Sequence, residues 1–338
     1  MAPTTVAFFN NKGGVGKTTL ACNFAAWLAE RGKKALVVDL DPQCNSTQLL
    51  LSDTQWSDVY EDVSASEAKT VMAVLRNIRA GDSSLDTEAF QVFRSARFAV
   101  DVLAGHPSLS IFEDILSEAW TKFRGGEVAG ARRTVWLRSL SDFLGDSYDT
   151  LIVDVSPSLG AINRSALIGS SSFVTPMAAD LFSLYALDNI TTWFQRWIGE
   201  YEAGRDNSRE NLQATGHVGL LPDPLPVRHG FVGYTVQQYV SRASGGQIRE
   251  IEAYDQHRRE IPDRAEKLIE LSRVKGDLEL GTVPNMFSMI PLAQGQHSPI
   301  ANLSREDGLR GAQFSQQERY VEQLDAIFKG ISERVADL

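Results

Sequence analysis

One stretch near the start constrains this chain more than any other. Val6-Ala7-Phe8-Phe9 reads as a short buried strand, and Lys12-Gly13-Gly14-Val15-Gly16-Lys17-Thr18-Thr19 follows almost at once. From Thr18 to Arg31 apolar residues recur at helical spacing (Leu20, Phe24, Ala25, Leu28), and Gly32 stands where a helix end favours a residue free to take positive φ. Ala35-Leu36-Val37-Val38 is a continuous apolar run, suited to a parallel strand covered on both faces. Strand, loop, helix and strand make a βαβ unit. In that context a glycine-rich loop becomes a phosphate cradle. Glycines let the backbone turn its N–H groups inward, and the free N–H groups at the start of the following helix favour an anion. Lys17 is placed to reach terminal phosphates and Thr18 to offer its hydroxyl to Mg²⁺. Gly13, Gly14, Val15, Gly16, Lys17, Thr18 and Thr19 are therefore candidate nucleotide contacts.

The rest of the chain continues the alternation. Ala65–Ile78 reads as helix, Phe98–Leu103 as strand before a turn at Gly105-His106-Pro107, and Ile111–Phe123 as helix. Arg132–Leu144 reads as one helix, Thr150–Val153 as a strand ending at Asp154, and Phe173–Thr175 as a short strand ended by Pro176. Leu184–Trp197 has amphipathic helical spacing, and Val218–Leu221 is expected to be a strand. Beyond a stiff loop at Pro222, Pro224 and Pro226, Tyr234–Lys275 is charged and expected to be mostly helical. Leu280–Val283 is a candidate strand, and a helix from Gln313 to Val335 ends the chain. The expected fold class is α/β: a mainly parallel twisted sheet with helices on both faces and an enlarged C-terminal helical region. Residues 1–338 are read as one domain, with 222–280 a helical insertion or lobe within it.

Composition narrows the function classes. Hydrophobic residues make up 43% and charged residues 22%, as in ordinary globular proteins. No apolar run reaches the length of a membrane span, and no secretory signal is expected. Cys22 and Cys44 are too few for a disulfide scaffold, which suits a cytoplasmic protein. The five histidines show no metal-ligand spacing. A formal net charge of −10 allows nucleic-acid binding only through a local basic patch.

The loop Lys12–Thr19 resembles the deviant phosphate loop of the ParA and MinD family of ATPases, marked by the additional lysine Lys12. Two more segments carry the resemblance: Val37-Val38-Asp39-Leu40-Asp41-Pro42-Gln43, and the Walker B-like Tyr148 to Ser158 with Asp154. Pro176 and Leu184-Tyr185-Ala186-Leu187 are similar to the ParA branch. Val283-Pro284 falls where the family flanks adenine. The resemblance implies ATP and Mg²⁺ as cofactors, with Thr18, Asp41 and Asp154 at the metal. It implies Asp41 orienting the attacking water and Asp39 supporting the phosphate region. It implies Lys17 holding phosphate in cis, and Lys12 reaching the partner's nucleotide in an ATP-state homodimer. Lys12, Lys17 and Asp41 are thus the expected catalytic set. Cys44 stands where the family usually has glycine and is read as a packing residue; Ser156 replaces a usual proline.

The resemblance also implies slow, partner-stimulated hydrolysis of ATP that drives DNA segregation or cargo positioning. The stimulating partner would be ParB-like or a cargo adaptor. Nonspecific DNA binding would use basic residues of the C-terminal half: Arg228, Arg242, Arg249, Arg258, Arg259, Arg264, Lys267, Arg273 and Lys275. The same stretch is rich in acids, as a solvated mixed-charge helix would be. The alternative is a regulatory ATPase that docks a protein through 222–280 without binding DNA. A MinD-like membrane contact needs a basic amphipathic tail, and Ala326–Val335 has few cations, so no membrane association is expected.

Overall fold

The computed structural model describes residues 2–63, 65–238, 247–286 and 288–338, and their side chains except at 247–254 and 269. Eight strands form one sheet in the order β3-β4-β2-β5-β1-β6-β7-β8. They are β1 Thr4–Phe8, β2 Ala35–Leu40, β3 Phe93–Ser95, β4 Val100–Leu103, β5 Thr150–Val155, β6 Ser172–Ala178, β7 Phe231–Gln237 and β8 Glu279–Val283. All neighbours run parallel except β3 against β4 at the edge. The mainly parallel α/β sheet is as the sequence implies.

The helices follow in chain order: α1 Lys17–Glu30, α2 Asn45–Leu50, α3 Asp53–Tyr60, α4 Val71–Val74, α5 Arg76–Arg79, α6 Leu109–Arg124 and α7 Val128–Thr134. Then come α8 Trp136–Leu144, α9 Ala161–Ile168, α10 Leu181–Ala214, α11 Gln247–Ala265, α12 Met289–Gly295 and α13 Gln313–Ala336. Side chains alternate across each central strand, so the continuous apolar runs feed two cores. Val6, Phe8, Val37, Ile152 and Val174 pack with α1 and α13. Ala7, Phe9, Val38, Val153 and Phe173 pack with α6, α8, α9 and α10. Full burial of each large apolar side chain contributes roughly 1.5–3 kcal/mol.

Several elements depart from the sequence reading. Ala65–Ile78 is a 3₁₀ turn at Ser66–Lys69 followed by α4 and α5, because Thr70 turns extended and caps α4 through the N–H of Met72. Arg132–Leu144 breaks at Val135 into α7 and α8. Val218–Leu221 joins no strand; Val218 is 77% exposed and the segment has no partner strand to pair with. Tyr234 begins no helix: Phe231–Gln237 is β7, buried between β6 and β8. Its aromatic and β-branched residues outweigh the charge of the stretch that follows. α10 runs well past Trp197 to Ala214. Gly204 lies inside it because a Cβ there would come within 2.9 Å of the Phe123 ring.

Pro176 does not end β6; the strand continues to Ala178. A strand residue points its N–H and C=O to the same side. The Pro176 carbonyl accepts from Asn10 Nδ2 at 2.7 Å, on the β1 side, where the β1–β6 ladder has already stopped at Val174. The missing N–H therefore costs no ladder bond.

Candidate functional site

The loops that leave β1, β2 and β5 at their C-terminal ends meet at one edge of the sheet. From β1 the chain crosses to β2 on one side, and from β5 to β6 on the other, so the loops part there and leave a crevice. The sequence-predicted residues Lys12 to Thr19, Asp39, Asp41 and Asp154 are all brought to this edge.

Gly14 and Gly16 take φ of 72° and 83°, the left-handed region that glycine enters without strain. Leu20 N–H bonds the Gly16 carbonyl at 2.9 Å and starts α1. No acceptor among the described residues meets the backbone N–H groups of Gly14, Val15 and Gly16, so they remain available to an anion at the start of α1. Val15 is buried beneath the loop, and Asn10 holds the Lys12 N–H at 2.9 Å. Thr19 stays in the first turn of α1, and its carbonyl accepts from Asn23.

Lys17 is 7% exposed, and its ammonium donates to the Lys12 carbonyl at 3.0 Å. Burial lowers its pKa, while Asp154 and Asp41 act against that shift. Asp154 Oδ2 accepts from Thr18 Oγ1 at 2.7 Å and from Ser46 Oγ at 2.5 Å. Its Oδ1 is buried without a donor. Burial raises the carboxyl pKa of Asp154 and of Asp39. An orphaned, buried carboxylate oxygen beside a threonine hydroxyl and a second carboxylate is a hard-oxygen donor set. It fits a small divalent cation such as Mg²⁺.

Asp39 has both oxygens occupied: Oδ2 by Thr47 N at 2.8 Å and Thr47 Oγ1 at 2.7 Å, and Oδ1 by Asp41 N at 3.1 Å. It shapes the turn that carries Asp41. Gly105 seals this arrangement, because a Cβ there would lie 3.0 Å from Asp39 Cγ. Asp41 Oδ1 accepts from Gln43 N at 3.0 Å, and no donor among the described residues meets its second oxygen. Cys44 is buried with φ of 54°, a conformation glycine takes freely, so the backbone itself accounts for a glycine preference there. Burial pushes its thiol up to about 12, away from reactivity.

At this edge, the Lys12 side chain and Pro284 stand apart from the cluster around Asp154. Lys12 turns along its own chain: its ammonium pairs with Asp180, the N-cap of α10, and lies 3.3 Å from Ser183 Oγ. Pro284 is buried just after β8, at the same sheet edge but three strands from β1, about 14 Å away at ordinary strand spacing. Sequence reasoning missed Ser46 and Thr47, which hold the two buried aspartates, and gave no role to Asn10, at the head of the motif, which holds the loop. Their only signal is nearness to the motifs, since single polar residues carry no spacing pattern.

Four of the C-terminal cations are paired with carboxylates in place. Arg228 pairs with Glu202, Arg258 with Glu279, and both Arg264 and Lys267 with Asp188. Arg273 donates to the Leu338 carbonyl at 3.1 Å, while Arg259 and Lys275 are exposed. Arg242 and the side chain of Arg249 lie outside the described residues. No helix among the described residues is long and apolar enough to cross a membrane.

Comparison with known proteins bears on the family and the fold. A family model described as an AAA domain (AAA_31) matches residues 3–203. The chromosome-partitioning ATPase Soj of Treponema pallidum is 28% identical over 183 residues, 54% of this chain and 60% of that protein. The chain thus spans about three fifths of the length of the curated relatives it matches. Among solved structures, protein DIP2308 of Corynebacterium diphtheriae superposes with a TM-score of 0.72 at 35% identity, covering 87% of this chain and 97% of that one. An ATP complex of a McdA variant from Cyanothece shares the fold, with a TM-score of 0.59 at 15% identity over 99% and 97% of the two chains.

Proposed function

The chain belongs to the ParA/MinD family of P-loop ATPases, and on that premise we propose that it is an ATP-dependent, dimerising molecular switch that hydrolyses ATP to ADP and phosphate. The observation that carries this reading is the buried Asp154, with Oδ2 on Thr18 and Ser46 and Oδ1 unpaired beside the glycine loop. When bound, Mg²⁺ would neutralise phosphate charge, held by Thr18, Asp154 and Asp41. Lys17 presents a desolvated positive charge to the phosphates. Asp41, with one oxygen free, orients the attacking water. The free N–H groups of Gly14 to Gly16 receive the phosphate oxygens. Lys12 leaves Asp180 to reach the nucleotide of a second copy, and Pro284 flanks the base.

The switch drives DNA segregation or cargo positioning, binding DNA nonspecifically in its ATP state and answering to a stimulating partner protein. One observation favours a second reading, an ATPase that docks a protein through 222–280 without DNA: Arg228, Arg258, Arg264 and Lys267 are already paired with carboxylates. Binding of the Asp41→Ala protein to arbitrary duplex DNA, with ATP and Mg²⁺ across a salt titration, separates the two. ATP-dependent, salt-sensitive binding is expected. A dimer that ignores DNA at low salt would leave the docking reading standing.

A further inference from the structure

Between Asp154 and α9 the chain runs through Ser156-Pro157-Ser158-Leu159-Gly160. This loop lies against the phosphate loop: a Cβ on Gly13 would sit 3.8 Å from Pro157 Cγ. Its near end is tied by Asn163, whose Nδ2 donates to the Ser156 carbonyl at 2.7 Å and the Ser158 carbonyl at 2.8 Å. Its far end is the N-terminus of α9, where backbone N–H groups have no partner within the helix and a side-chain cap normally accepts from them. The N-cap here is Gly160, which has no side chain to do so.

The cap comes from another element. Glu113, half-buried on α6, accepts from Ala161 N–H through Oε1 and from Ile162 N–H at 2.9 Å through Oε2. Its negative charge also faces the positive end of the α9 dipole. Glycine at 160 is a steric condition of this contact, since a Cβ there would meet Glu113 Oε1 at 2.2 Å. α6 belongs to the part of the chain between the two motif-bearing segments, where no motif points to chemistry.

We propose that Glu113 is a positioning residue for ATP hydrolysis: by capping α9 it holds the loop Ser156–Gly160 against the phosphate loop, in the geometry the reaction requires. This rests on the ATPase reading above. Glu113 lies outside the set of residues to which nucleotide and metal contacts are assigned above, and its hydrogen bonds go to the α9 amides. Its loss frees the far end of the loop while Lys17, Thr18 and the strand-borne Asp154 keep their places. Nucleotide binding should therefore survive and turnover should not.

The test is steady-state hydrolysis by the full chain at saturating Mg-ATP, with wild type measured first, then Glu113→Gln, Glu113→Ala and Gly160→Ala. Affinity for a fluorescent ATP analogue and the thermal midpoint are read on the same samples. Hydrogen exchange at the amides of residues 161 and 162 reports the cap itself. The expected result for Glu113→Ala is a fall in kcat of roughly 10- to 100-fold, the scale of an ångström-sized misplacement. The nucleotide Kd should stay within about threefold, with faster exchange at both amides and kcat for Glu113→Gln in between, because glutamine retains one acceptor. Gly160→Ala should copy Glu113→Ala. Undiminished turnover in Glu113→Ala overturns the role of Glu113. Parallel losses of kcat, Kd and thermal midpoint overturn it too, since the contact then only holds the fold. A wild-type chain without turnover overturns the ATPase reading itself, and this role with it.

Discussion

The edge of the sheet that carries the glycine loop and the face of the chain around α11 are both rich in charge, and they handle it in opposite ways. At the sheet edge, Lys17, Asp39 and Asp154 are almost wholly withdrawn from water, and an oxygen of Asp154 has no partner. Desolvation there lowers the lysine pKa and raises those of the two acids. Such an arrangement is costly unless a ligand of matching charge completes it. Around α11, Arg264 and Lys267 share Asp188 and Arg258 meets Glu279, all partly exposed. Those charges are satisfied within the chain, and exposed pairs of that kind contribute only about 0–1 kcal/mol. Charge density alone does not mark a site; burial combined with incomplete pairing does.

The largest effect that could break this comparison is at Lys17. Lys17→Ala should weaken binding of a fluorescent ATP analogue by roughly 100-fold, the worth of charge-assisted bonds to phosphate. Retention of full affinity would make the buried lysine a packing residue. Asp41→Ala should come next: calorimetry should show nucleotide binding within about threefold of wild type, while phosphate release falls at least about 100-fold. Normal turnover in that variant would remove Asp41 from the mechanism.

A smaller effect is expected at Lys12. Its pair with Asp180 is partly exposed, so it holds the lysine only weakly in its own chain. Lys12→Ala should raise the dissociation constant of the ATP-state dimer by roughly tenfold in analytical ultracentrifugation. An unchanged dimer would leave Lys12 a partner of Asp180 alone. On the other side of the comparison, the double change Arg264→Ala and Lys267→Ala should move the urea unfolding free energy by no more than about 1 kcal/mol. A larger loss would mean the α11 pairs carry more than surface charge.

The mildest effect is one of pH. His106 is nearly buried; its Nδ1 accepts from Ser108 N–H at 3.1 Å, so Nε2 carries the proton toward Ser66 Oγ at 2.9 Å. Burial lowers its pKa against the opposing pull of Glu67. With the folded pKa below the unfolded one, the neutral form is the one the fold favours. Stability is therefore full above the unfolded value of about 6.5 and declines as pH falls below it. The thermal midpoint should drop more between pH 7 and pH 5.5 in wild type than in His106→Gln. Equal slopes would clear His106 of any part.

The motifs were legible because they combine rare residue spacing with a strand–loop–helix context that few other structures share. Lys12 to Thr19, Asp39, Asp41 and Asp154 could all be named from the chain alone, as could the parallel sheet, because continuous apolar runs have few other uses. Elements at the margins were less legible. Thr70 and Val135 break helical runs through local backbone turns that periodicity does not reveal. The apolar core of β7 was hidden beside a charged stretch, and Pro176 stays in its strand only because the β1 ladder stops short of it.

By itself, then, the sequence determined the family and the class of the sheet, and it named the motif residues that meet at the sheet edge, since each motif is a run of residues close together along the chain. Tertiary structure decided which groups are held and by what. Thr47 and Gly105 fix Asp39, Ser46 reaches Asp154 from another loop, Asp180 receives Lys12, and Glu113 caps α9 from α6. Apart from Thr47, eight positions from Asp39, these contacts join residues tens to more than a hundred positions apart, and they exist only because folding brings separate elements within hydrogen-bond distance. Local pattern carries no record of such meetings, and burial, which gives each its strength, is a property of the folded whole.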